Sequence, residues 1–588
     1  MDRRSMILED LVYLYGEERA QTAYEQLWTL VDAFRQAHPD MGKANNRPRM
    51  DQRDAILIAY GDMVNREDVH PLAVLNEFAR EKLKGLVNTI HILPFFPYSS
   101  DDGFSVIDFK EVNPEWGCWD DIDELTESFD LMVDVVVNHI SQYSEWFQAY
   151  RKNQTPYSDY FITVDPNVDL SAVFRPRALP LLTRVDTEAG EKWVWTTFSA
   201  DQIDLNFSNP TVLLEILDIF LFYIGQGARF IRLDAVAFIW KEIGTSCIHL
   251  PQVHRIIELV RHVLDEVAPQ VVLITETNVP HKENISYFGD GIHEAQMVYN
   301  FSLPPLVLHS IQTGNGRKLM AWVKTLELPS NEVTFFNFLA SHDGIGLLPA
   351  RGILTDEEIE ALAEHTLAMG GRVSYKNNPD GSQSPYEMNI NYLSATCKAG
   401  VEEDDEKIAD RFLASQSIML ALRGVPGIYY HSLLGSQSWI EGMQASGQNR
   451  TINREKLDVD RLYEQLEPPD NLRSMVYQGF KTMLSLRQLD PAFDPFGRQA
   501  VIDGNEQVFG VYRSTSKNRE GVFCLTNLSG QPQTITIKVN DFKASKSASL
   551  FDLISEESFL IIEGECEVEL HGYQVCWLKV AEGIDNLY

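Results

Sequence analysis

Apolar and polar positions along the chain predict strands and helices in turn. Eight short apolar or β-branched runs are bounded by charged or turn-forming residues, and helical periodicity separates most of them. The runs are DAILIAYGD, NTIHILPF, LMVDVVVNH, GARFIRLD, VVLITE, MVYNF, TFFNFLASHD and PGIYYHS. Repeated βα units of this kind favour an α/β fold, the TIM (β/α)8 barrel, in which active residues lie at the carboxyl ends of the strands.

Further segments flank or interrupt this barrel. The first residues have apolar positions at helical spacing, two connections are too long for simple loops, and short alternating strands follow the barrel. The predicted parts are an N-terminal helical extension (1–50), the barrel (51–139, 207–343 and 401–499), two inserted subdomains (140–206 and 344–400) and a C-terminal antiparallel β-sandwich (500–588).

The charge balance narrows the classes of partner. Acidic residues outnumber basic ones 85 to 50, and the formal charge of −35 disfavours nucleic acid and anionic membranes. An anionic substrate would need a local cluster of arginines. The six cysteines show no metal-ligand spacing, and no apolar run has the length of a membrane span, so we expect a cytoplasmic protein. The sequence does not decide the oligomeric state, and a homodimer is one possibility.

The run from Phe230 to Asp234 contains a candidate nucleophile. The two-residue period of a strand places Phe230, Arg232 and Asp234 on one face. A buried ion pair that only holds the fold together is one interpretation, although burying two charges is costly unless they satisfy each other. The other interpretation is a carboxylate that a neighbouring guanidinium keeps ionised for nucleophilic attack.

Glu276 ends the run VVLITE and is predicted to point inward like Asp234. A retaining glycoside-processing enzyme needs two such carboxyl groups, about 5 to 5.5 Å apart, of which one attacks the anomeric carbon and the other protonates the leaving oxygen. Taken alone, Glu276 could equally be a helix-capping or surface carboxylate.

Five motifs in order resemble those of the α-amylase superfamily, glycoside hydrolase family 13. They are DVVVNH (134–139), QIDLN (202–206), FIRLDAVAF (230–238), ITETN (274–278) and ASHDG (340–344). The resemblance implies that Asp234 is the nucleophile, Glu276 the general acid/base and Asp343 a third carboxylate that holds sugar hydroxyls. It also implies a glucose-binding subsite that contains His139, Arg232 and His342.

Longer stretches resemble the sucrose phosphorylase subfamily, among them LPFFPYSSDDGFSVIDF (93–109), KEIGTSC (241–247), FSLPPLVLHSI (301–311) and SHDGIGL (341–347). The resemblance adds Asp101, Phe104 and Gln202 to the glucose subsite. It also implies inorganic phosphate as co-substrate, bound by Arg450 or Arg454 of NRTINRE, with Arg454 favoured because INR resembles the phosphate-binding element. Tyr386 is a further candidate for a phosphate or acceptor contact. The alternative is that both arginines only pair with surface acids.

The acceptor pocket departs from sucrose phosphorylase itself, because Glu387 replaces a glutamine and Phe238 replaces the usual tyrosine. The N-terminal extension, TETNVPHKENISYFG, KNNPDGSQSPYE and GQNRTINRE instead resemble glucosylglycerate phosphorylases, and this similarity covers almost the whole chain. The carboxylate of glycerate would require a second cation, for which the candidates are Lys376, Arg450 and Lys241. The neutral Gln383 in the same loop keeps glucosylglycerol and sucrose open as substrates.

We therefore expect retaining phosphorolysis of a small α-glucoside, with glucosylglycerate as the leading substrate. The alternatives are a sucrose or glucosylglycerol phosphorylase, a phosphate-independent α-glucosidase or transglucosylase, and a non-catalytic sugar-binding protein. Many amylases hold a structural calcium near the segment that DVVVNH resembles, but the phosphorylase branch generally lacks it. We accordingly expect no metal and no cofactor other than phosphate as co-substrate.

Overall fold

A computed structural model describes residues 2–42, 48–177, 179–377, 382–515, 521–542 and 549–580. Eight strands form a closed barrel in which each strand is parallel to its neighbours. They are β1 (Ile56–Ala59), β2 (Thr89–Ile92), β3 (Asp130–Val136), β4 (Ala228–Asp234), β5 (Val272–Thr275), β6 (Met297–Tyr299), β7 (Thr334–Phe338) and β8 (Val425–Tyr429). All eight match the predicted runs, and the barrel prediction is confirmed.

Helices surround the barrel, and this explains the composition of its strands. Strands β1, β2, β5 and β7 are buried at every position, as expected where side chains pack inside the barrel on one face and against helices on the other. Helices along the barrel include Pro71–Phe78, Trp119–Thr126, Pro210–Gly225, Pro251–Val267, His281–Asn284, Leu303–Thr313, Arg317–Val323, Asp405–Ala421, Tyr430–Leu433, Ile440–Ser446, Val459–Leu466 and Leu472–Leu489.

Two N-terminal helices, α1 (Arg3–Tyr15) and α2 (Glu17–Ala37), pack against the outside of the barrel. The buried Asp10 anchors α1, because its carboxylate accepts hydrogen bonds from Arg255 Nη1 at 2.9 Å and His262 Nδ1 at 2.8 Å on one barrel helix. At the end of α1, the Tyr15 hydroxyl donates to the Phe207 carbonyl at 3.0 Å. The extension is thus attached by buried polar contacts as well as by apolar packing.

Two long connections build the rim above the barrel. The one after β3 contains helix Glu145–Arg151 and the antiparallel pairs His139–Ser141 with Gln202–Asp204 and Leu182–Thr187 with Gly190–Trp195. The one after β7 contains helices Asp356–Ala368 and Tyr392–Thr396 and the strands Ile345–Gly346, Arg372–Asn377 and Gln383–Asn389, which form one small sheet. Residues 378–381 of the turn-rich stretch KNNPDGSQSPYE lie outside the described residues.

The C-terminal part is an antiparallel sheet of eight strands. They are β9 (Arg498–Val501), β10 (Val508–Ser514), β11 (Gly521–Asn527), β12 (Gln533–Lys538), β13 (Ser549–Asp552), β14 (Ser558–Ile562), β15 (Glu565–Leu570) and β16 (Val575–Val580), in the order β9-β10-β11-β16-β13-β14-β15-β12. Phe523 near one end of this order and Ile535 at the other share one apolar core, so the sheet folds over on itself. The alternating runs QVFGVYR, GVFCLTNLS, QTITIKV, CEVEL and YQVCWLKV correspond to β10, β11, β12, β15 and β16. No such run marks β9, β13 or β14, which are short or carry outward-facing apolar residues such as Leu560.

Within the described ranges, no helix combines the length and the apolar character that crossing a membrane would require.

Candidate active site

Three carboxylates meet at the carboxyl end of the barrel. Asp234 is the last residue of β4, Glu276 directly follows β5, and Asp343 lies in the segment after β7. Because the carboxyl ends of parallel strands share one rim, all three side chains line the same cavity. The structure thus brings together the three residues that the sequence motifs proposed as catalytic.

Arg232 lies beneath this cavity and connects the carboxylates. Its Nη1 atom donates to Asp134 and to Asp234 Oδ1, the latter at 3.0 Å, and its Nη2 atom is 4.0 Å from Glu276 Oε2. The register places Asp134 of β3 opposite Arg232 of β4, so the contact follows from the strand pairing. The guanidinium is 2% exposed, and it therefore acts on these carboxylates with little screening by water.

The environment divides the roles of Asp234 and Glu276. Burial raises the pKa of Asp234; the positive charge of Arg232 opposes this rise, and the negative charge of Glu276 adds to it. Burial also raises the pKa of Glu276, and Arg232 again opposes the rise. The carboxylate oxygen of Asp234 is hydrogen-bonded to Arg232. Among the described residues, the hydrogen-bond donor to Glu276 is the Ala235 amide at 3.3 Å, and Glu276 lies farther from the guanidinium. The proton that the pair retains therefore belongs on Glu276, and Asp234 is the ionised partner.

The turn after Asp234 is what directs an amide toward Glu276. Ala235 has φ 51° and ψ 29°, in the left-handed region that costs a non-glycine residue about 1 kcal/mol or more. In this conformation its N–H faces Glu276 Oε2. Local backbone strain is thus associated with placing a donor beside the predicted acid/base.

The predicted glucose subsite lies on one side of the cavity. His139 Nε2 and Gln202 Nε2 both donate to the Phe104 carbonyl, at 2.9 Å and 3.3 Å, and the Phe104 ring stacks on His342 with centroids 4.8 Å apart and an interplanar angle of 4°. Burial lowers the pKa of His139 to about 4 and that of His342 to about 3. Both imidazoles are consequently neutral at pH 7 and present hydrogen-bonding groups without charge.

The segment that carries Asp101 is strained. Asp101 and Asp102 have φ values of 54° and 47°, and Gly103 follows with φ 107° where a Cβ atom would meet the Pro94 carbonyl oxygen at 2.5 Å. The two aspartates diverge, because Asp101 accepts a hydrogen bond from Gln202 Nε2 at 3.3 Å and Asp102 pairs with Arg454. Strain at this position is tolerated because it aims two neighbouring carboxylates at different partners.

The two arginines of NRTINRE occupy different environments. Arg450 lines the cavity, with Nη1 2.6 Å from Asp343 and Nη2 2.7 Å from Glu387. Arg454 does not line it: its Nε donates to the His342 carbonyl at 2.8 Å and its Nη1 to Asp102. Burial would raise the pKa of Asp343, but Arg450, His342 and Arg454 together hold it well below its usual range. Asp343 is therefore ionised.

Arg177 is a cavity residue that the sequence analysis missed. Its Nη2 atom is 3.3 Å from Asp101 Oδ2, and its guanidinium lies 5.5 Å above the centroid of the Phe198 ring. The side chain is 33% exposed at the mouth of the cavity. The proline-rich stretch RPRALP was visible in the sequence, but it indicated only an insertion, because nothing in its spacing shows that the loop folds back over the barrel.

Aromatic residues form a further part of the cavity lining. Phe238 packs against Phe198 at 5.5 Å and Phe174 at 6.3 Å between ring centroids, and Tyr386 completes the lining. Burial raises the pKa of Tyr386 to about 12, so its hydroxyl remains a hydrogen-bond donor at neutral pH. The predicted acceptor-side residues Phe238, Tyr386 and Glu387 therefore all line the cavity.

The two lysine candidates for the acceptor site lie elsewhere. Lys241 Nζ is 2.6 Å from Asn138 Oδ1 and 2.6 Å from Asp204 Oδ2, and it does not line the cavity. Lys376, on strand Arg372–Asn377, is also outside the cavity lining. No group of three or more potential metal-ligating side chains occurs in the described ranges. The ammonium of Lys241 supplies the positive charge between Asn138 and Asp204, residues of two α-amylase motifs.

A (β/α)8 barrel with paired inward carboxylates at the ends of β4 and β5, and a third after β7, defines an enzyme of the α-amylase type. In agreement, a family described as "Alpha amylase, catalytic domain" matches residues 81–348. The chain is 50% identical to a glucosylglycerate phosphorylase of Spirochaeta thermophila over 97% of both chains. It is 43% identical to a glucosylglycerate phosphorylase of Escherichia coli, over 98% of this chain and all of the relative. The chain belongs to the glucosylglycerate phosphorylase family within the α-amylase superfamily.

A solved structure shows the same fold. The sucrose 6F-phosphate phosphorylase from Thermoanaerobacter thermosaccharolyticum superposes with a TM-score of 0.71 and 24% identity, over 91% of this chain and 99% of that chain.

Proposed function

We propose that this chain is a retaining phosphorylase that cleaves glucosylglycerate with phosphate to give α-glucose 1-phosphate and glycerate. The observation that carries the proposal is one cavity that combines the Asp234–Glu276 pair with two guanidinium groups, Arg177 and Arg450. The carboxylates suit glycoside cleavage by double displacement, and the guanidiniums suit an anionic acceptor in a chain of charge −35. The glucosylglycerate phosphorylases in the same family support the choice of substrate.

In the first step, the ionised carboxylate of Asp234 attacks C1 of the glucosyl unit. The bond from C1 to the glycerate oxygen breaks, and Glu276 gives its proton to that oxygen. The product is a covalent β-glucosyl-enzyme. Asp343, ionised beside Arg450, is placed to accept hydrogen bonds from sugar hydroxyls.

In the second step, Glu276 is ionised and accepts the proton of an incoming phosphate. A phosphate oxygen attacks C1, the bond to Asp234 breaks, and α-glucose 1-phosphate leaves. Two inversions at C1 give net retention. Phosphate and glycerate occupy the same side of C1 in succession, so one anion-binding position serves both reactants.

Arg177 is the best-supported phosphate contact. Arg450 is engaged by two carboxylates, and Arg454 pairs with Asp102 and does not line the cavity. Arg177 lines the cavity, and its contact with Asp101 is a longer 3.3 Å. A guanidinium with spare donors can bind phosphate or a carboxylate in a bidentate manner. We therefore prefer Arg177 to Arg454, with Arg450 fixed in place by Glu387 as a second positive charge.

We expect Arg177→Leu to raise the KM for phosphate by about 10- to 100-fold, since a hydrogen bond to a charged group contributes about 1.5 to 3 kcal/mol. Initial rates of glucose 1-phosphate release at varied phosphate measure this. Arg175→Leu is the matched control, because Arg175 is an exposed arginine of the same loop and does not line the cavity. An unchanged KM in Arg177→Leu, with a raised KM in Arg454→Leu, would return the phosphate site to Arg454.

The function itself is tested by incubating the enzyme and phosphate with glucosylglycerate, glucosylglycerol, sucrose and sucrose 6′-phosphate. We expect release of glucose 1-phosphate to be fastest with glucosylglycerate. Turnover confined to sucrose would refute the proposed acceptor. Cleavage at a rate independent of phosphate would instead identify a hydrolase or transglucosylase.

We also propose that the enzyme works in the cytoplasm and needs no cofactor other than phosphate as co-substrate. All six cysteines are unpaired, which suits a reducing compartment. The charge of −35 disfavours nucleic acid as a partner.

A further inference from the structure

His91, on β2, is a buried titratable residue to which the proposed mechanism gives no role. Its Nε2 atom is 2.7 Å from Asp134 Oδ2, and both side chains are 0% exposed. Asp134 is ionised, because Arg232 and His91 hold its pKa at about 2 in spite of burial. An ionised carboxylate can only accept a hydrogen bond, so Nε2 of His91 is the donor.

The second oxygen of Asp134 belongs to another partner. Oδ1 accepts a hydrogen bond from Arg232 Nη1, the same nitrogen that donates to Asp234 Oδ1 at 3.0 Å. A continuous chain of contacts therefore runs from His91 through Asp134 and Arg232 to the predicted nucleophile. It crosses β2, β3 and β4 inside the barrel.

Arg232 is shared by several acidic side chains. Three carboxylates, those of Asp134, Asp234 and Glu276, lie within 4.0 Å of its nitrogens. The rings of Tyr299 and Phe104 lie 5.4 Å and 5.7 Å from the guanidinium carbon. In the described part of the chain, Arg232 is the cation that forms an ion pair with Asp234. Asp134 and Asp234 compete for the same guanidinium, so a closer ion pair between Asp134 and Arg232 weakens the ion pair between Arg232 and Asp234.

We propose that His91 is a positioning residue, which keeps one oxygen of Asp134 occupied and so leaves the charge of Arg232 available to Asp234. Without the Nε2–H donor, both oxygens of Asp134 can turn toward the guanidinium, because a bidentate pair is the favoured geometry. Asp234 would then lose its counter-ion and bind a proton at higher pH. This inference rests on the proposed function, in which ionised Asp234 is the nucleophile.

The experiment measures the pH profile of kcat/KM for glucosylglycerate, whose acidic limb reports ionisation of the nucleophile. Other charged or titratable groups that act on this cluster are Glu276, Asp343, Arg450, Arg454, His342 and Tyr299, and every variant retains them. We expect His91→Leu to move the acidic limb up by about one pH unit and so to lower kcat/KM by about 10-fold at pH values on that limb, with KM for phosphate unchanged. His91→Gln, which supplies an amide donor, should return both the acidic limb and the rate most of the way to their wild-type values.

Asp134→Asn provides a shift in the opposite direction. It removes the competing charge but keeps the shape of the side chain. Arg232 then forms a stronger ion pair with Asp234, and the acidic limb moves to lower pH. A merely structural role for His91 would lower thermal stability and leave both limbs in place, and that result would overturn the proposal. If the acidic limbs of His91→Leu and Asp134→Asn moved in the same direction, that result would overturn the proposal as well. Should His91→Leu not fold, His91→Met, which also lacks an N–H donor, takes its place, and an unmoved acidic limb in that variant would overturn the proposal.

Failure of the inference is distinguishable from failure of the function. If the wild-type enzyme releases no glucose 1-phosphate from glucosylglycerate, the proposed function is wrong. If the wild-type enzyme is active and the acidic limbs of the variants do not move, only the role of His91 is wrong.

Discussion

Replacing Asp234 by asparagine is expected to lower the release of glucose 1-phosphate by about 10⁴-fold or more, the effect seen when a nucleophile is removed. The amide keeps the size of the side chain but cannot form the bond to C1. Arg232 would remain paired with Asp134, so the barrel should not collapse around an unpaired charge. Steady-state rates measure the loss, and mass spectrometry of the quenched enzyme should find no glucosyl adduct.

Thermal unfolding supplies the control for Asp234→Asn. The substitution removes one of three carboxylates that face a common cavity and repel one another, so we expect an unchanged or higher melting temperature. A lower activity that accompanies a large fall in melting temperature would reflect misfolding. Near wild-type turnover in a well-folded variant would show that another group attacks C1.

Glu276→Gln is expected to slow cleavage of glucosylglycerate by about 10²- to 10⁴-fold, the usual contribution of a general acid or base. Glycerate is a poor leaving group without a proton, whereas fluoride needs none. With α-glucosyl fluoride, the variant should therefore form the glucosyl-enzyme and accumulate it. Azide, which needs no base, should restore turnover and give α-glucosyl azide. Formation of α-glucosyl azide by Asp234→Asn instead would reverse the two assignments, whereas β-glucosyl azide from that variant would come from direct displacement of fluoride by azide.

The pH profile gives an independent test of Glu276. Burial raises its pKa, and Asp343 adds to the effect, while Arg232 opposes it. Cleavage needs the protonated form, so activity falls as pH rises through this pKa. The descending limb of the wild-type profile should lie above the ordinary glutamate range near 4.3. That limb should disappear in Glu276→Gln, and its persistence would assign it to a different group.

Much of the architecture could be read from the chain. The eight barrel strands were recognisable because strands buried on both faces are short, continuous apolar runs, as in VVLIT and TFFNF. Asp234 and Glu276 could be located because each ends such a run, and the carboxyl ends of the strands share one rim. Local pattern sufficed for these predictions, since each depends on a few consecutive residues.

The C-terminal sheet shows where local pattern fails. Strand β14 carries Leu560 and Ile562 on its exposed face, so it lacks the alternation of apolar and polar residues that marks a half-buried strand. Strand β9 is only four residues long. Both are held by their neighbours in the sheet, which is a tertiary effect on weak local preferences.

By itself, the sequence determined the barrel, the three carboxylates and the family, because these depend on periodicity, on residues at strand ends and on ordered motifs. Only the tertiary structure decided how the cations are distributed. Arg450 faces the cavity beside Asp343 while Arg454, four residues later, bonds to Asp102, and Arg177 arrives from the insertion after β3. Such pairings join residues far apart in the chain, and burial and charge competition, which spacing does not reveal, determine them.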